Sequence, residues 1–263
     1  MQRLPNHMAL KRTQLAWTFM AHPPKLFKAG KPKHHPTIQS DLTYIVVSFF
    51  LTPKYHFGMV FSLENKFLPK KEGKMIDDVV RKSRSYRRFY QETAIGMDTL
   101  RELVDLARYS PSGGNLQPLK YILSADPEKN GLIFQHLVWA AYLKDWSGPE
   151  EGERPSAYII LLGDTEISKS VAWDHGISAQ TIILGAASRG FGGCMIATIN
   201  KEGLRSDLNI PPRYNVLLVL ALGKPKETVV IDSVGPDGDI KYWRDDENVH
   251  HVPKRSLDEI IIG

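Results

Sequence analysis

Residues 171–199 read VAWDHGISAQTIILGAASRGFGGCMIATI. From 171 to 189 the apolar residues fall on nearly every face of a helix, with Gly176, Ala179, Gly185, Ala186 and Ala187 interspersed. A helix with no polar side is buried all round, in a core or at a subunit interface. Gly190, Gly192 and Gly193 end it, and residues 194–199 have the apolar character of a buried strand.

Reading toward the C-terminus, residues 201–208 form a short helix stopped by Pro211-Pro212, and 216–222 is the last clear strand. The tail 223–263 is long and polar and closes on Ile260-Ile-Ile262. Reading toward the N-terminus, 157–163 is a buried strand behind the Glu-rich stretch 147–154. A helix is expected from the Asp126-Pro127 start signal to about 143, and a strand over 120–124. A further helix opens at Met97, where Leu100, Leu103, Val104, Leu106 and Ala107 form one apolar stripe and Asp98 lies in the first turn. Ile76, Val79 and Val80 open a short amphipathic helix before it. Helices before and between apolar strands, without βαβ alternation, indicate an α+β fold. No GxGxxG follows a strand, which argues against a Rossmann-type dinucleotide site.

The 263 residues are 42% hydrophobic and 24% charged, the balance of a soluble globular protein. Cys194 is the single cysteine, which excludes an intrachain disulfide and suits a reducing compartment; a cytoplasmic protein is expected. The net charge of +5 is unevenly spread: residues 1–74 hold 12 Lys/Arg against 3 Asp/Glu, the rest 22 against 26. The basic excess therefore lies outside the part that reads as folded, so no nucleic-acid partner is expected. The run Tyr44-Ile-Val-Val-Ser-Phe-Phe-Leu51 is far shorter than the ~20 residues of a spanning helix, so no membrane is expected either. Residues 1–74 show no sustained helical or strand period. Lys71-Glu-Gly-Lys74 ahead of Met75 can be encoded by a purine-rich bacterial ribosome-binding sequence. The expectation is a domain over 75–263 whose translation starts at Met75, with a basic, disordered extension over 1–74 as the competing view.

Four clusters carry chemistry. Arg84-Ser-Tyr-Arg-Arg-Phe89 places three arginines and a serine after a short helix, a fork-rich set suited to phosphate or an ordinary solvated basic turn. Ser110-Pro-Ser-Gly-Gly-Asn-Leu-Gln-Pro118 offers backbone N–H groups and small polar side chains, or is a plain helix-to-strand connection. Arg189-Gly-Phe-Gly-Gly-Cys-Met-Ile-Ala-Thr198 is a glycine-rich bend whose backbone can approach a flat ligand. His250-His-Val-Pro-Lys-Arg-Ser-Leu257 is basic in an acidic region. Cys194 is expected as a buried structural thiol and His175 as a hydrogen-bonded core or interface histidine. Trp146, beside the 147–154 stretch, is a core anchor or part of a substrate lid. The His34-His35 and His250-His251 pairs lack metal-ligand spacing, so no metal is expected.

In this order the clusters resemble the nitroreductase family of flavoproteins, over about residues 76–262. The pairing of Arg-Ser-x-Arg-x-Phe with Ser-Pro-Ser-x-x-Asn-x-Gln-Pro some 25 residues later is its most specific element. The resemblance implies a central mixed or antiparallel sheet flanked by helices, an intertwined homodimer with exchanged C-terminal tails, and FMN at the subunit interface. It implies that Arg84, Ser85 and Arg87 hold the FMN phosphate and ribityl chain, and that Ser112, Asn115 and Gln117 reach the flavin from the opposite subunit. Met195, Ile196, Ala197 and Thr198 would pass the isoalloxazine ring, with Lys254 and Arg255 closing over the phosphate. Where relatives often carry an arginine two positions before the serine, this chain has Ser83. Where relatives active on nitroaromatics often carry an acid beside flavin N5, it has Ala197.

The implied reaction passes hydride from NADH or NADPH through flavin N5 to a small acceptor such as a nitroaromatic or quinone. The cofactor supplies the chemistry, so no catalytic side chain is named. Flavin fragmentation to dimethylbenzimidazole, reductive dehalogenation on the same scaffold, or flavin binding without turnover are the alternatives.

Overall fold

The computed structural model describes residues 44–52, 55–62 and 71–263. They fall in two units, Met1–Lys66 and Phe67–Gly263. In the first, β1 (Tyr44–Thr52) and β2 (Tyr55–Ser62) pair antiparallel as a hairpin, where the sequence reading saw no strand period. The run weighed as a membrane segment is β1; its β-branched and aromatic residues suit a strand of that length. The rest of the expected extension up to residue 70, with the His34-His35 pair, lies outside the described residues. Among those described, no helix is long and apolar enough to cross a membrane.

The second unit opens with α1 (Lys71–Lys82), which starts ahead of Met75. Then come β3 (Phe89–Tyr90), α2 (Met97–Ala107), β4 (Leu119–Ser124), α3 (Pro127–Phe134), β5 (Ala157–Asp164), α4 (Asp174–Ser188), β6 (Gly192–Ile196), α5 (Lys201–Asp207) and β7 (Tyr214–Pro225). β7 is the axis of an antiparallel sheet. β5 lies along one edge, from Ala157 opposite Leu222 to Asp164 opposite Tyr214. β6 and then β3 share the other, with Gly192 opposite Gly223 and Phe89 opposite Pro225. β4 completes the sheet outside β5.

Both faces are covered, which is why β5 is buried at every residue. Ala157, Ile159 and Leu161 face a core shared with Leu100 and Leu103 of α2 and with Ala179, Ile182 and Ile183 of α4. Tyr158, Ile160 and Leu162 face a second core with Ile133 of α3, Leu204 of α5 and Cys194. The α+β expectation and its antiparallel sheet hold.

Two expectations need correction. The helix from Pro127 ends at Phe134, not near 143, because the following backbone pairs elsewhere. Leu137 bridges Ile199, Val138 N–H donates to Thr198 O, and Asn200 N–H donates to His136 O. The tail after β7, read as without clear strands, carries β8 (Val229–Ser233), β9 (Trp243–Arg244) and β10 (His250–Lys254), then the short α6 (Leu257–Ile260). β10 runs parallel to β8 and antiparallel to β9, a second small sheet. His251 binds it with side chains instead of an apolar core: its ring bonds Asp232 at 2.8 Å and Asp245 at 3.2 Å and stacks on Trp243.

Candidate functional site

The segment after α1 is pinned by its backbone. Tyr86 N–H donates to Gly193 O at 3.1 Å, and Ser85 bridges Gly193. The glycines make this approach possible: a Cβ on Gly192 would lie 2.5 Å from the Tyr86 ring, and one on Gly193 2.8 Å from Ala221 O. Within the chain they admit protein backbone and a tyrosine ring.

β10 comes to the same place by pairing with β8, which follows β7 directly. Together these elements enclose a cleft of about 340 Å³ lined by Arg84, Ser85, Arg87, Gly193, Met195 and Lys254, with Ser83, Gln180 of α4, Tyr242, His250 and Val252. Stretches more than 160 residues apart thus meet in one hollow, Arg84 and Lys254 among them.

A buried carboxylate that carried no sequence signal holds this arrangement. Glu227 accepts from Arg87 N–H, from Arg88 N–H at 3.3 Å and from the Arg244 guanidinium at 3.0 Å. Arg244 in turn lies over the ring of Trp146, 4.3 Å from its centroid. Trp146 packs edge-on against Trp139, so it anchors this wall. The Arg87 guanidinium lies over Tyr242 and donates to His250 Nε2 at 3.2 Å. Arginine only donates, so Nε2 accepts and the ring proton sits on Nδ1. Burial, and then the neighbouring Arg87, Arg244 and His251, push the His250 pKa down to about 4. The ring is therefore neutral near pH 7.

Arg88 faces away, with both arms on Glu153, whose other neighbour Lys226 lies at 2.9 Å. These partners, Arg88 foremost, lower the Glu153 pKa to about 2. Cys194 is buried, and burial pushes its thiol upward, which fits a structural role. His175 Nδ1 is buried without a partner within the chain.

The 110–118 loop lies elsewhere in the chain. Ser112 Oγ and Gly113 N–H donate to Asp174, at 2.5 and 3.0 Å, from the first turn of α4. Asn115 and Gln117 hold left-handed backbone, φ 54° and 53°, strain of the kind found at ligand clamps. Ser112 and Gln117 border a separate cleft of about 230 Å³ with Tyr121 and Ser178. Ile196, the last residue of β6, is buried, and Ala197 and Thr198 are exposed just past it. Arg255 pairs with Glu259 at 3.3 Å and does not line the arginine cleft.

The arginine cleft is chemically apt for a phosphorylated ligand. Three cationic side chains and two serines offer donors, and two buried donors, Arg84 Nε and His250 Nδ1, have no partner. The nitroreductase family model matches residues 80–224, more than half the chain. A protein of Archaeoglobus fulgidus whose name puts it among NADH dehydrogenases/NAD(P)H nitroreductases is 28% identical over 148 residues, 53% of this chain and 80% of its own. YodC of Bacillus subtilis, also named for NAD(P)H nitroreductases, is 27% identical over 177 residues, 56% of this chain and 88% of its own. A nitroreductase family protein of Streptococcus pneumoniae of known structure shares the fold with a TM-score of 0.51 at 17% identity, covering 71% of this chain and 98% of that one. The matched residues contain the arginine segment, the 110–118 loop and the glycine-to-strand segment in order, and on that ground the chain belongs to the nitroreductase family of oxidoreductases.

Proposed function

We propose that this chain is an FMN-dependent oxidoreductase that uses NADH or NADPH to reduce a small conjugated acceptor, a nitroaromatic, quinone or similar molecule. One observation carries the reading: Arg84, Ser85, Arg87, Met195 and Lys254, chosen for a flavin phosphate and ring, border a single cleft. FMN, when bound, supplies hydride acceptance and donation at N5. Arg84, Arg87 and Lys254 would hold its phosphate with charge-assisted bonds, and Ser85 would add a neutral donor. Glu227 keeps the Arg87 and Arg88 amides in place, while neutral His250 occupies one arm of Arg87. Exposed Ala197 and Thr198 leave room for a flat molecule and carry no acid. Specificity toward the acceptor therefore rests on shape and backbone donors.

The same reading includes a homodimer with exchanged tails. Apolar side chains stand exposed on one chain, Trp173 at 81%, Tyr109 at 70% and, in the tail, Ile262 at 99%. A second copy would cover them and bring Ser112, Asn115 and Gln117 to the arginine cleft. Light scattering is expected to give twice the chain mass; a monomer at micromolar concentration would overturn the dimer. The purified protein is expected to be yellow and to bleach anaerobically with NADH or NADPH, then recolour on adding quinone or nitroaromatic. A colourless protein that does not take up FMN sinks the reading. A yellow protein indifferent to both nucleotides makes it a flavin carrier.

A further inference from the structure

Ten buried side-chain nitrogen and oxygen atoms among the described residues have no hydrogen-bond partner. Four of them belong to residues that line one cleft of about 250 Å³, which shares no residue with the arginine cleft. They are Asn130 Oδ1, Arg154 Nε, Ser156 Oγ and the Tyr158 hydroxyl. Buried polar groups are ordinarily paired, and one left without a partner destabilises the fold, so four together mark a place prepared for polar atoms that the chain does not supply.

The surroundings fix what each atom offers. α3 contributes Asn130, which is 8% exposed. Its Nδ2 donates to Ser156 O at 2.9 Å, so the amide is oriented with Oδ1 as the free acceptor. β5 contributes Tyr158, 1% exposed, whose phenol burial keeps protonated and therefore able to donate. Between them runs the 150–156 loop, held by Gln91: its Oε1 accepts from Gly152 N–H at 2.8 Å and Arg154 N–H at 3.0 Å. The Arg154 guanidinium lies 4.3 Å over the Phe134 ring and gives one arm to Glu151 at 2.9 Å, which leaves Nε over. The set is three donors, one of them cationic, beside one acceptor.

We propose that this cleft is a second ligand site, separate from the flavin cleft, for a small carboxylate with an adjacent N–H donor, the chemistry of a free amino acid. Arg154, Ser156 and Tyr158 take the carboxylate oxygens and Asn130 takes the N–H. A carboxylate can accept from several donors at once, and a neighbouring ammonium or amide is what the lone acceptor lacks.

The test uses the full flavin-loaded chain and follows its melting temperature with each of the twenty free amino acids, their C-terminal amides and the matching amines. At least one amino acid is expected to raise the melting temperature saturably, while its amide and amine, lacking the carboxylate, do not. Tyr158→Phe is expected to weaken that ligand about ten-fold or more, the size of one lost bond to a charged group, with flavin absorbance unchanged. Without ligand, the same variant should melt no lower than the parent, since it removes a hydroxyl that has no partner. Arg154→Gln should abolish the ligand effect. The proposal fails if no amino acid gives a saturable shift, if amides and amines shift it equally, or if the shift survives both substitutions.

Discussion

Two loops hold the polar residues that point to a cofactor, and each is fastened by one buried carboxylate. The arginine loop is tied by Glu227, which collects two backbone amides and the cationic Arg244. The Ser110–Pro118 loop is tied by Asp174, which collects only neutral donors, Ser112 Oγ and Gly113 N–H, from the start of a helix. The first loop meets its partners from β6 and β10 within the chain, in one cleft. The second borders a different cleft with no arginine of the first. A motif thus identifies residues that would touch a ligand, but it is silent on what fastens them and on how many chains complete the site.

That contrast is open to direct attack. The largest effect is expected from Glu227→Ala, which leaves Arg244 buried without its counter-charge: a loss of about 3–5 kcal/mol, read as the denaturant midpoint, together with loss of bound FMN. A change under about 1 kcal/mol would mean the two carboxylates are alike after all. Arg87→Ala is expected to strip FMN on dialysis while the fold persists, through loss of a charge-assisted contact of about 1.5–3 kcal/mol. Unchanged flavin occupancy would remove Arg87 from the site.

Asp174→Asn should cost about 1–2 kcal/mol, because Asn keeps one of the two accepting oxygens and loses one bond together with the helix-dipole and charge contributions. A loss as large as that of Glu227→Ala would erase the distinction between the loops. The smallest effect is in pH. His250 titrates at about 4 when folded against about 6.5 when unfolded, so the unfolded chain binds more protons in that window. Stability should therefore fall as pH drops from 6.5 toward 4, and His250→Gln should flatten that slope. An equal slope in the variant would reassign it.

The sheet and most helices were legible because they follow from the periods of apolar residues: α2 carries its stripe at Leu100, Leu103 and Ala107, and β5 is apolar throughout. The arginine segment was legible from residue types that suit a phosphate, and Met195 and Lys254 only through the family resemblance. Glu227 was not, since one glutamate between Lys226 and Thr228 looks like any surface acid until its burial is known. The small tail sheet was missed because His251, Asp232 and Asp245 hold it through polar bonds, which leave no apolar alternation to read. The premature end of α3 was invisible because it depends on the backbone of 198–200, some sixty residues downstream.

The place of β7 along the chain has a consequence for synthesis. β3, β4, β5 and β6 all leave the ribosome before it, yet β3, β5 and β6 each pair with it, and only β4 and β5 can pair without it. Until about residue 225 has emerged, the apolar strand β5 presents an open edge on the side that β7 will occupy, the state in which nascent chains aggregate. The long separations also make for slow folding once the chain is free. Yield in a cell is therefore expected to depend on chaperone capacity during the last part of translation more than on the stability of the finished domain.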